Sequence, residues 1–201
     1  MKSPVCKKII LASGSPRRRQ LLEYIVPEFT VAKSRDIDES YPRDMSAEDV
    51  APYLSRIKAD GYADLVDEDT IVITADTVVV LDNKILGKPA NADEAIAMLS
   101  ALSGRSHLVI TGVTVKSSDT TVTFKEITEV EFDKIDEDAI RSYVTDYRPY
   151  DKAGAYGIQE WIGCVGITGI KGCYYNVMGL PLHTLYKVLR TDFGYIGSTS
   201  K

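Results

Sequence analysis

The sequence has few cysteines and histidines, the residues that form disulfide bonds or bind zinc. It has 3 cysteines, Cys6, Cys164 and Cys173, an odd number without CxxC spacing, so we expect reduced thiols that act as small packing residues. Its 2 histidines, His107 and His183, are far apart and have no nearby cysteine pair, which argues against zinc. No apolar run reaches the length of a membrane span, and the N-terminus lacks the apolar core of a signal peptide. We therefore expect a cytoplasmic protein without a membrane partner.

The chain also lacks a basic excess. Lysine and arginine number 24 against 29 acidic residues, which gives a formal net charge of -5. Proteins that bind nucleic-acid polymers or anionic membranes are usually basic, so neither partner is expected, and any anion site must be a local basic pocket. With 201 residues, of which 44% are hydrophobic, the chain can bury a sizeable core. We predict one domain over residues 1–201, with 1–7 and 194–201 peripheral.

Apolar periodicity predicts an α/β protein with a mixed sheet. Residues 8–12 form a short apolar run and 70–81 are almost all β-branched, so both are predicted strands, and 106–135 hold two or three more. Ser15 is a good N-cap and Pro16 a good first helical residue, so a helix should begin at Pro16. Further helices are predicted at 46–66, with a Ser46–Asp49 capping box and Pro52 in its first turns, at 91–104, with Gly104 as C-cap, at 136–147 and at 181–192.

The stretch SGSPRRR places Arg17, Arg18 and Arg19 at the start of that first helix. Cations oppose the positive end of the helix dipole, so this arrangement favours a bound anion. A phosphate chain would satisfy the hydroxyl of Ser13, the free backbone N–H groups and the guanidinium groups together. The arginines point about 100° apart, so at least one should face solvent. The alternative is a solvated basic turn beside acidic surface.

An acid stands inside the β-branched run IVITADTVVVL. An ionised Asp76 would be costly there unless it is paired or bound to a metal. It could be a metal ligand or a general base at a strand end, or else a structural residue that caps a turn. Lys88, in the following GKP turn, could neutralise phosphate charge or pair with Asp76. Asp38 and Glu39 lie in a polar loop and could share a metal with Asp76. Carboxylates beside phosphate suggest Mg²⁺ or Mn²⁺.

The glycine-rich stretch DKAGAYGIQ ends in Gln159. Its amide carries both a donor and an acceptor and could read the edge of a base. Tyr156 or Trp161 could stack on a base, although aromatic residues in such stretches more often belong to the core. Short strands are predicted around these glycines.

Four motifs in this order resemble the Maf family of nucleoside triphosphate pyrophosphatases: LASGSPRRRQLL, ADTVVVLDNKILGKP, DKAGAYGIQ and YYNVMGLPLHTLY. The resemblance covers about residues 8–190. It implies a fold similar to that of the inosine triphosphate pyrophosphatases, a long mixed β-sheet with flanking helices and two lobes around a cleft. It also implies a homodimer, and hydrolysis of a nucleotide to the monophosphate and pyrophosphate with Mg²⁺ or Mn²⁺.

The resemblance also implies roles for single residues. Asp76 matches the proton acceptor, and Glu39 an acidic residue near the metal. Ser13, Arg17 and Arg18 match the phosphate-binding turn, and Lys58 and Lys88 match lysines that face the phosphates. The family's specificity positions, which here suggest dTTP and UTP, correspond to Arg17, Thr77 and Gln159.

Two other functions remain open at the sequence level. One is a pyrophosphatase for inosine or xanthosine triphosphate, which Thr77 and Gln159 oppose only through the resemblance. The other is a non-catalytic nucleotide-binding regulator of cell division, which would not need an acid at Asp76. In the enzymatic reading, water attacks the α-phosphorus and no covalent nucleophile is required. Arg19 extends the arginine pair and is expected to lie largely in solvent.

Overall fold

The computed structural model describes residues 7–196. Cys6 and most of the segments predicted to be peripheral lie outside that range. The described strands are β1 (Lys8–Leu11), β2 (Thr30–Val31), β3 (Thr70–Leu81), β4 (Lys84–Leu86), β5 (Ser106–Lys116), β6 (Thr121–Phe132) and β7 (Ile167–Lys171). The described helices are α1 (Pro16–Glu23), α2 (Ala47–Asp60), α3 (Ala92–Leu102), α4 (Glu137–Tyr147), α5 (Trp161–Gly166), α6 (Tyr174–Val177) and α7 (Leu182–Thr191), with short 3-10 helices at Ala63–Leu65 and Ala153–Ala155.

The strands form a single mixed sheet, which confirms the predicted α/β class. The strand order is β2-β1-β3-β5-β6-β7, and β4 pairs with β3 off this path. Strand β1 is parallel to both β2 and β3, whereas the β3–β4 and β6–β7 pairs are antiparallel. None of the helices in residues 7–196 combines the length and apolar character needed to cross a membrane.

The chain divides into two compact units. Unit 1 consists of Met1–Asp76, Thr111–Glu126 and Gly179–Lys201, as far as these are described, and unit 2 of Thr77–Ile110 and Ile127–Met178. Part of the core of unit 1 is formed by Ile10, Ala12, Tyr62 and Val72, against which Ile37, Leu65 and Val66 pack. The core of unit 2 is larger and takes Val79, Leu99, Val109, Phe132, Ile140, Tyr143, Tyr156 and Ile162, among others, from strands and helices alike.

Capping residues mark boundaries of helices α1 and α3. Helix α1 begins at Pro16, as predicted, and the hydroxyl of Ser15 accepts a hydrogen bond from the Arg18 backbone N–H at 3.4 Å. Helix α3 ends at Leu102, and Gly104 has a φ of 73° one residue beyond the C-cap Ser103. That left-handed conformation is the one that favours glycine at a helix end.

The predicted capping box at Ser46 is wrong. The Ser46 side chain caps no backbone N–H group, and its hydroxyl instead donates to the carboxylate of Asp49 at 2.7 Å. A hydroxyl engaged with a carboxylate as donor holds the serine side chain away from the free N–H groups of the helix. Helix α2 nevertheless begins with Glu48 and Asp49 in its first turn, where acidic residues interact favourably with the helix dipole.

Helix α2 packs unusually close to β5. A Cβ atom added to Gly112 would lie 2.2 Å from the Pro52 nitrogen, so the helix can approach the strand only because residue 112 has no side chain. Pro52 lies inside the helix, and its carbonyl accepts a hydrogen bond from the Ser55 hydroxyl at 2.8 Å. The Ser55 hydroxyl also lies 2.9 Å from that of Thr114, which fixes this turn of α2 on the sheet.

The glycine-rich stretch contains less strand than predicted. Residues 153–177 form a 3-10 turn, two short helices and the one strand β7. Gly154 has a φ of 68° and a Cβ atom there would contact Val79 at 3.0 Å, so this turn depends on glycine to pack against β3.

Candidate functional site

The acid predicted inside the apolar run lies in the middle of a strand rather than at its end. Strand β3 is buried along its length except at Asp76 and Thr77, which are partly buried. The alternative that Asp76 caps a turn is therefore wrong, because both of its neighbours are in β structure. A carboxylate that is largely removed from water in an otherwise buried strand requires a compensating partner.

That partner is Lys58, in the last turn of α2. Its ammonium Nζ lies 2.6 Å from Oδ1 of Asp76 and 2.9 Å from Oε2 of Glu39. The side chains of Lys58 and Asp76 are only 17% and 15% exposed, while that of Glu39 is 53% exposed. The structure thus brings together three residues that the sequence separates, in the group that we call the Lys58 cluster: Glu39, Lys58 and Asp76.

The predicted phosphate-binding turn lies in the same unit. The guanidinium of Arg18 donates from Nη1 to the Ala75 carbonyl at 2.8 Å and to the Ser13 hydroxyl at 3.4 Å, and from Nε to the Gly179 carbonyl at 2.8 Å. Because Ala75 directly precedes Asp76, Arg18 connects the start of α1 to the Lys58 cluster. Burial of the guanidinium lowers the pKa of Arg18, and the nearby carboxylate of Asp76 opposes this effect.

The other two arginines have different surroundings. Arg17 is half-exposed. The side chain of Arg19 is 64% exposed and pairs with Glu23 one turn later along α1, with 3.5 Å between Nε and Oε1. The expectation that one arginine faces solvent is confirmed, and that arginine is Arg19.

Three of the predicted site residues belong to unit 2. Thr77 follows Asp76 in β3, Lys88 is exposed in the loop after β4, and Gln159 is exposed in the turn before α5. The loop that carries Lys88 is tied to the glycine-rich stretch, because the Gly154 N–H donates to the Gly87 carbonyl at 3.0 Å. Both Lys88 and Gln159 therefore sit on backbone that other parts of unit 2 hold in place.

The two aromatic residues of the glycine-rich stretch, Tyr156 and Trp161, differ in their exposure and therefore in whether they could stack on a ligand. Tyr156 is buried, its hydroxyl lies 2.7 Å from Nε2 of His107, and its ring packs edge-on against Phe132. The core interpretation of Tyr156 is therefore confirmed. Trp161 is 39% exposed and lies parallel to the ring of Tyr143, with 6.5 Å between ring centroids.

The carboxylates of the Lys58 cluster are chemically suited to a divalent ion. In residues 7–196, no group of three or more histidine, cysteine, aspartate or glutamate side chains is arranged to hold a metal. Glu39 and Asp76 do approach one cation, the Lys58 ammonium, with an oxygen each. One or two carboxylates, completed by water and substrate phosphates, are the usual protein contribution to a Mg²⁺ site.

Sequence reasoning missed one polar group altogether. Lys152, Glu160 and Tyr143 form a largely buried set of contacts in unit 2. Lys152 lies in the DKAGAYGIQ stretch, but no pattern indicates its partner, because Glu160 follows Lys152 by 8 residues and Tyr143 by 17, with no helical or strand period. The 8% exposure of Lys152 is the unexpected observation, since a lysine is almost never fully buried without a partner.

Comparisons with known proteins agree with the motifs. The family profile described as "Maf-like protein" matches residues 8–192. A "dTTP/UTP pyrophosphatase" of Bacteroides thetaiotaomicron is 47% identical over 183 residues, which are 91% of this chain and 95% of the relative. Another protein of that name, from Parabacteroides distasonis, is 48% identical over 183 residues with the same coverage.

A solved structure of a HAM1 protein from Coxiella burnetii is similar with a TM-score of 0.48 and 16% identity, over 91% of this chain and 98% of that chain. A similarity at this TM-score leaves the fold to be argued from the strand order itself.

Proposed function

The chain belongs to the Maf-like protein family, and from that premise we propose that it hydrolyses dTTP and UTP to the nucleoside monophosphate and pyrophosphate. The observation that carries the proposal is the Lys58 cluster, a lysine held between two carboxylates, of which Asp76 interrupts a buried strand. A binding protein has no need for such a charge in that position, whereas a hydrolase needs a base that can take a proton from water.

In this mechanism Asp76 accepts the proton of the water that attacks the α-phosphorus. Lys58 holds the Asp76 carboxylate in one orientation through the 2.6 Å contact, and it is proposed to contact a phosphate oxygen of the substrate as well. Glu39 holds the same ammonium from the other side at 2.9 Å. The base is thereby oriented before substrate binds, which lowers the cost of reaching the transition state.

The start of α1 is proposed to bind the phosphate chain. The Ser13 hydroxyl and the Arg17 guanidinium are proposed to supply donors there, beside the positive end of the helix dipole. Arg18 contributes charge and also fixes the position of the turn, because its guanidinium is already bonded to two backbone carbonyls. Lys88 is proposed to neutralise phosphate charge, and Arg17, Thr77 and Gln159 to set the preference for the base.

A divalent metal, Mg²⁺ or Mn²⁺, is proposed to be held by Glu39 and Asp76 together with the substrate. When bound, such an ion polarises the phosphoryl group and acidifies water. Whether the ion is Mg²⁺ or Mn²⁺, the Glu39 and Asp76 carboxylates are proposed to position the attacking water and the substrate, because Lys58 sets their orientation. A homodimer in the cytoplasm, with no nucleic-acid polymer or membrane as partner, completes the proposal.

The test is a nucleotide panel with the purified chain. Incubation with dTTP, UTP, CTP, dITP and XTP, in the presence of Mg²⁺ or Mn²⁺, should release pyrophosphate and monophosphate, fastest from dTTP and UTP. In water enriched in the heavy isotope of oxygen, the label should enter the monophosphate, as attack at the α-phosphorus requires. Release of orthophosphate would contradict the proposed site of cleavage. Faster turnover of dITP or XTP would contradict the proposed preference for thymine and uracil. Binding without turnover would contradict the enzymatic role.

A further inference from the structure

Unit 2 contains a lysine that is almost completely buried. Lys152 is 8% exposed, and its Nζ lies 3.0 Å from Oε1 of Glu160, which is 19% exposed at the side chain, and 2.8 Å from Oδ1 of the exposed Asp151. Removing an ammonium from water is costly, and a buried ion pair often stabilises a protein no better than apolar residues of the same volume. The ion pair therefore calls for an explanation other than stability.

The second oxygen of Glu160 is bound by a tyrosine. The hydroxyl of Tyr143 donates to Oε2 of Glu160 and accepts the backbone N–H of Gly157 at 3.2 Å. Burial raises the pKa of Tyr143, so the hydroxyl stays protonated and available as a donor. The Tyr143 hydroxyl thus connects the Glu160 carboxylate to the backbone of Gly157, the first residue of the 157–160 turn.

All of these contacts converge on residues 157–160. The Glu160 N–H closes the turn on the Gly157 carbonyl at 3.0 Å, and a Cβ atom at Gly157 would lie 2.8 Å from the Glu160 carboxyl carbon. On the other side, a Cβ atom at Gly163 would lie 1.8 Å from the Ile158 carbonyl oxygen, so helix α5 lies directly against the turn. Gln159 is the one residue of this turn that is exposed.

We propose that Tyr143, Lys152 and Glu160 form a positioning network for Gln159, which fixes the 157–160 turn and thereby sets the discrimination between nucleobases. The proposal rests on the proposed function, in which Gln159 reads the base. An amide can discriminate between bases only if its donor and acceptor are presented in one orientation, because the two ends differ in nothing but hydrogen-bonding character. A buried ionic network is directional and can fix that orientation, whereas apolar packing of the same volume would leave more freedom.

The network should influence base choice and leave the chemical step alone. Contacts to the base are present in both the ground state and the transition state, and the loss of such uniform binding raises KM at unchanged kcat. A change that only destabilised the fold would instead lower the active fraction and reduce kcat for every nucleotide alike. The ratio of kcat/KM for UTP to that for CTP separates these two outcomes.

The test variant is Tyr143→Phe, which removes one hydroxyl and keeps the ring. The matched control is Tyr147→Phe, the same change one turn along α4 in a ring that stacks on Tyr143 with 4.9 Å between centroids and is 43% exposed. We expect Tyr143→Phe to raise KM for UTP and to lower the UTP-to-CTP ratio roughly tenfold, the scale of one well-placed hydrogen bond, at retained kcat. Tyr147→Phe should leave the ratio unchanged.

A double-mutant cycle shows whether the effect passes through Gln159. In a Gln159→Ala background, Tyr143→Phe should change the ratio no further, because the group that the network positions is absent. Additive effects would overturn the proposal. Where Tyr143→Phe does not fold, Glu160→Gln carries the same cycle, since it keeps an acceptor for the tyrosine and removes the charge that faces Lys152.

Amide hydrogen exchange measured by NMR tests the positioning without any nucleotide. The Gly157 N–H should exchange faster in Tyr143→Phe than in wild type or Tyr147→Phe, because it has lost its acceptor. Unchanged exchange would overturn the proposal even in an active enzyme. If Tyr143→Phe shows faster exchange but the wild-type chain releases no pyrophosphate from any nucleotide, the proposed function is overturned, and with it the role in base choice.

Discussion

Arg18 differs from the arginines beside it in what its guanidinium contacts. It bonds the carbonyls of Ala75 and Gly179, whereas Arg19 extends into solvent and pairs with Glu23. The fold therefore fixes the position of the Arg18 guanidinium before any phosphate binds. An arginine can do this where a lysine cannot, because its five donors point in fixed directions.

Alanine substitutions at the three arginines should give three different results. Arg18→Ala leaves two partly buried carbonyls without their donor, which costs about 1–3 kcal/mol for a buried polar group, so both the melting temperature and kcat/KM should fall. Arg17→Ala should reduce kcat/KM with little change in melting temperature, and Arg19→Ala should be the mildest. Thermal unfolding and pyrophosphate release measure the two effects, and a silent Arg17→Ala would remove Arg17 from the proposed site.

Asp76→Asn should abolish turnover while the protein remains folded. The amide keeps the shape of the carboxylate but cannot accept a proton from water. Loss of a general base typically lowers kcat by about 10²–10⁴-fold. The matched control is Asp69→Asn, the same change at an exposed residue just before β3. Near-equal turnover by the two variants, measured as pyrophosphate release, would exclude Asp76 as the base.

Stability in mild acid should depend on His107. Burial lowers the pKa of His107 from 6.5 to about 4, and its Nε2 lies 2.7 Å from the Tyr156 hydroxyl. The unfolded chain takes up a proton near pH 6.5 while the folded chain does not, so the contribution of this group to stability is complete above pH 6.5 and is lost as the pH falls toward 4. The loss amounts to about 3 kcal/mol.

Denaturant unfolding at several pH values measures this effect. His107→Gln keeps a polar partner for Tyr156 but does not titrate, so its free energy of unfolding should fall less than that of wild type between pH 6.5 and 4. His183→Gln, at an exposed histidine, should follow the wild-type curve. Parallel curves for wild type and His107→Gln would mean that His107 is protonated in the folded protein.

At the scale of single elements, the sequence predicted what local chemistry controls. Ser15 followed by Pro16 fixed the start of α1, and the β-branched run located β3 from Thr70 to Leu81. The prediction of a capping box at Ser46 was wrong because the Ser46 hydroxyl donates a hydrogen bond to the Asp49 carboxylate in the same helical turn instead of capping a backbone N–H group. The glycine-rich stretch was misread because its glycines serve close packing rather than strand turns, as Gly154 against Val79 demonstrates.

Helix α2 and its distance from β5 determine where Lys58 lies. Gly112→Ala would place a methyl group 2.2 Å from the Pro52 nitrogen, which no side-chain rotation can relieve, so the helix must move. Overpacking of this kind costs about 1–3 kcal/mol or more. We expect a lower melting temperature and a reduced kcat, since Lys58 and Ser55 lie on the displaced helix.

The control is Gly169→Ala in β7, where the nearest atom to the added methyl group is Oε2 of Glu131, the mobile end of a side chain, at 3.1 Å. Its melting temperature should stay close to that of wild type. A Gly112→Ala variant that matches Gly169→Ala in both melting temperature and kcat would show that the close approach of α2 does not position Lys58.

At the scale of the whole molecule, the family resemblance indicated the members of the Lys58 cluster but not their geometry. Asp76, Lys58 and Glu39 were each predicted, yet only the structure brings their charged groups within 3 Å. The contacts of Tyr143, Lys152 and Glu160 were not predictable, because they depend on how a helix packs against a turn. Patterns along a sequence report which face of an element is apolar, whereas buried ionic contacts depend on the tertiary arrangement.

The predicted homodimer also belongs to this scale. We expect light scattering after size exclusion to give twice the mass of one chain, at micromolar concentration and without nucleotide. A monomer that remains active would contradict the dimer prediction and leave the proposed chemistry intact, since the Lys58 cluster is formed by a single chain.

The bond from Arg18 to Gly179 also has a consequence for how the protein is made. Unit 1 is assembled from three separate stretches, and Gly179, which opens the last of them, follows Arg18 by 161 residues. At a synthesis rate of about 5–20 residues per second, roughly 10–30 s separate the synthesis of Arg18 from that of its second carbonyl partner. The turn before α1 therefore lacks one of its two Arg18–carbonyl contacts until the chain has been synthesised as far as Gly179, so unit 1 cannot complete this contact while only its first stretch exists.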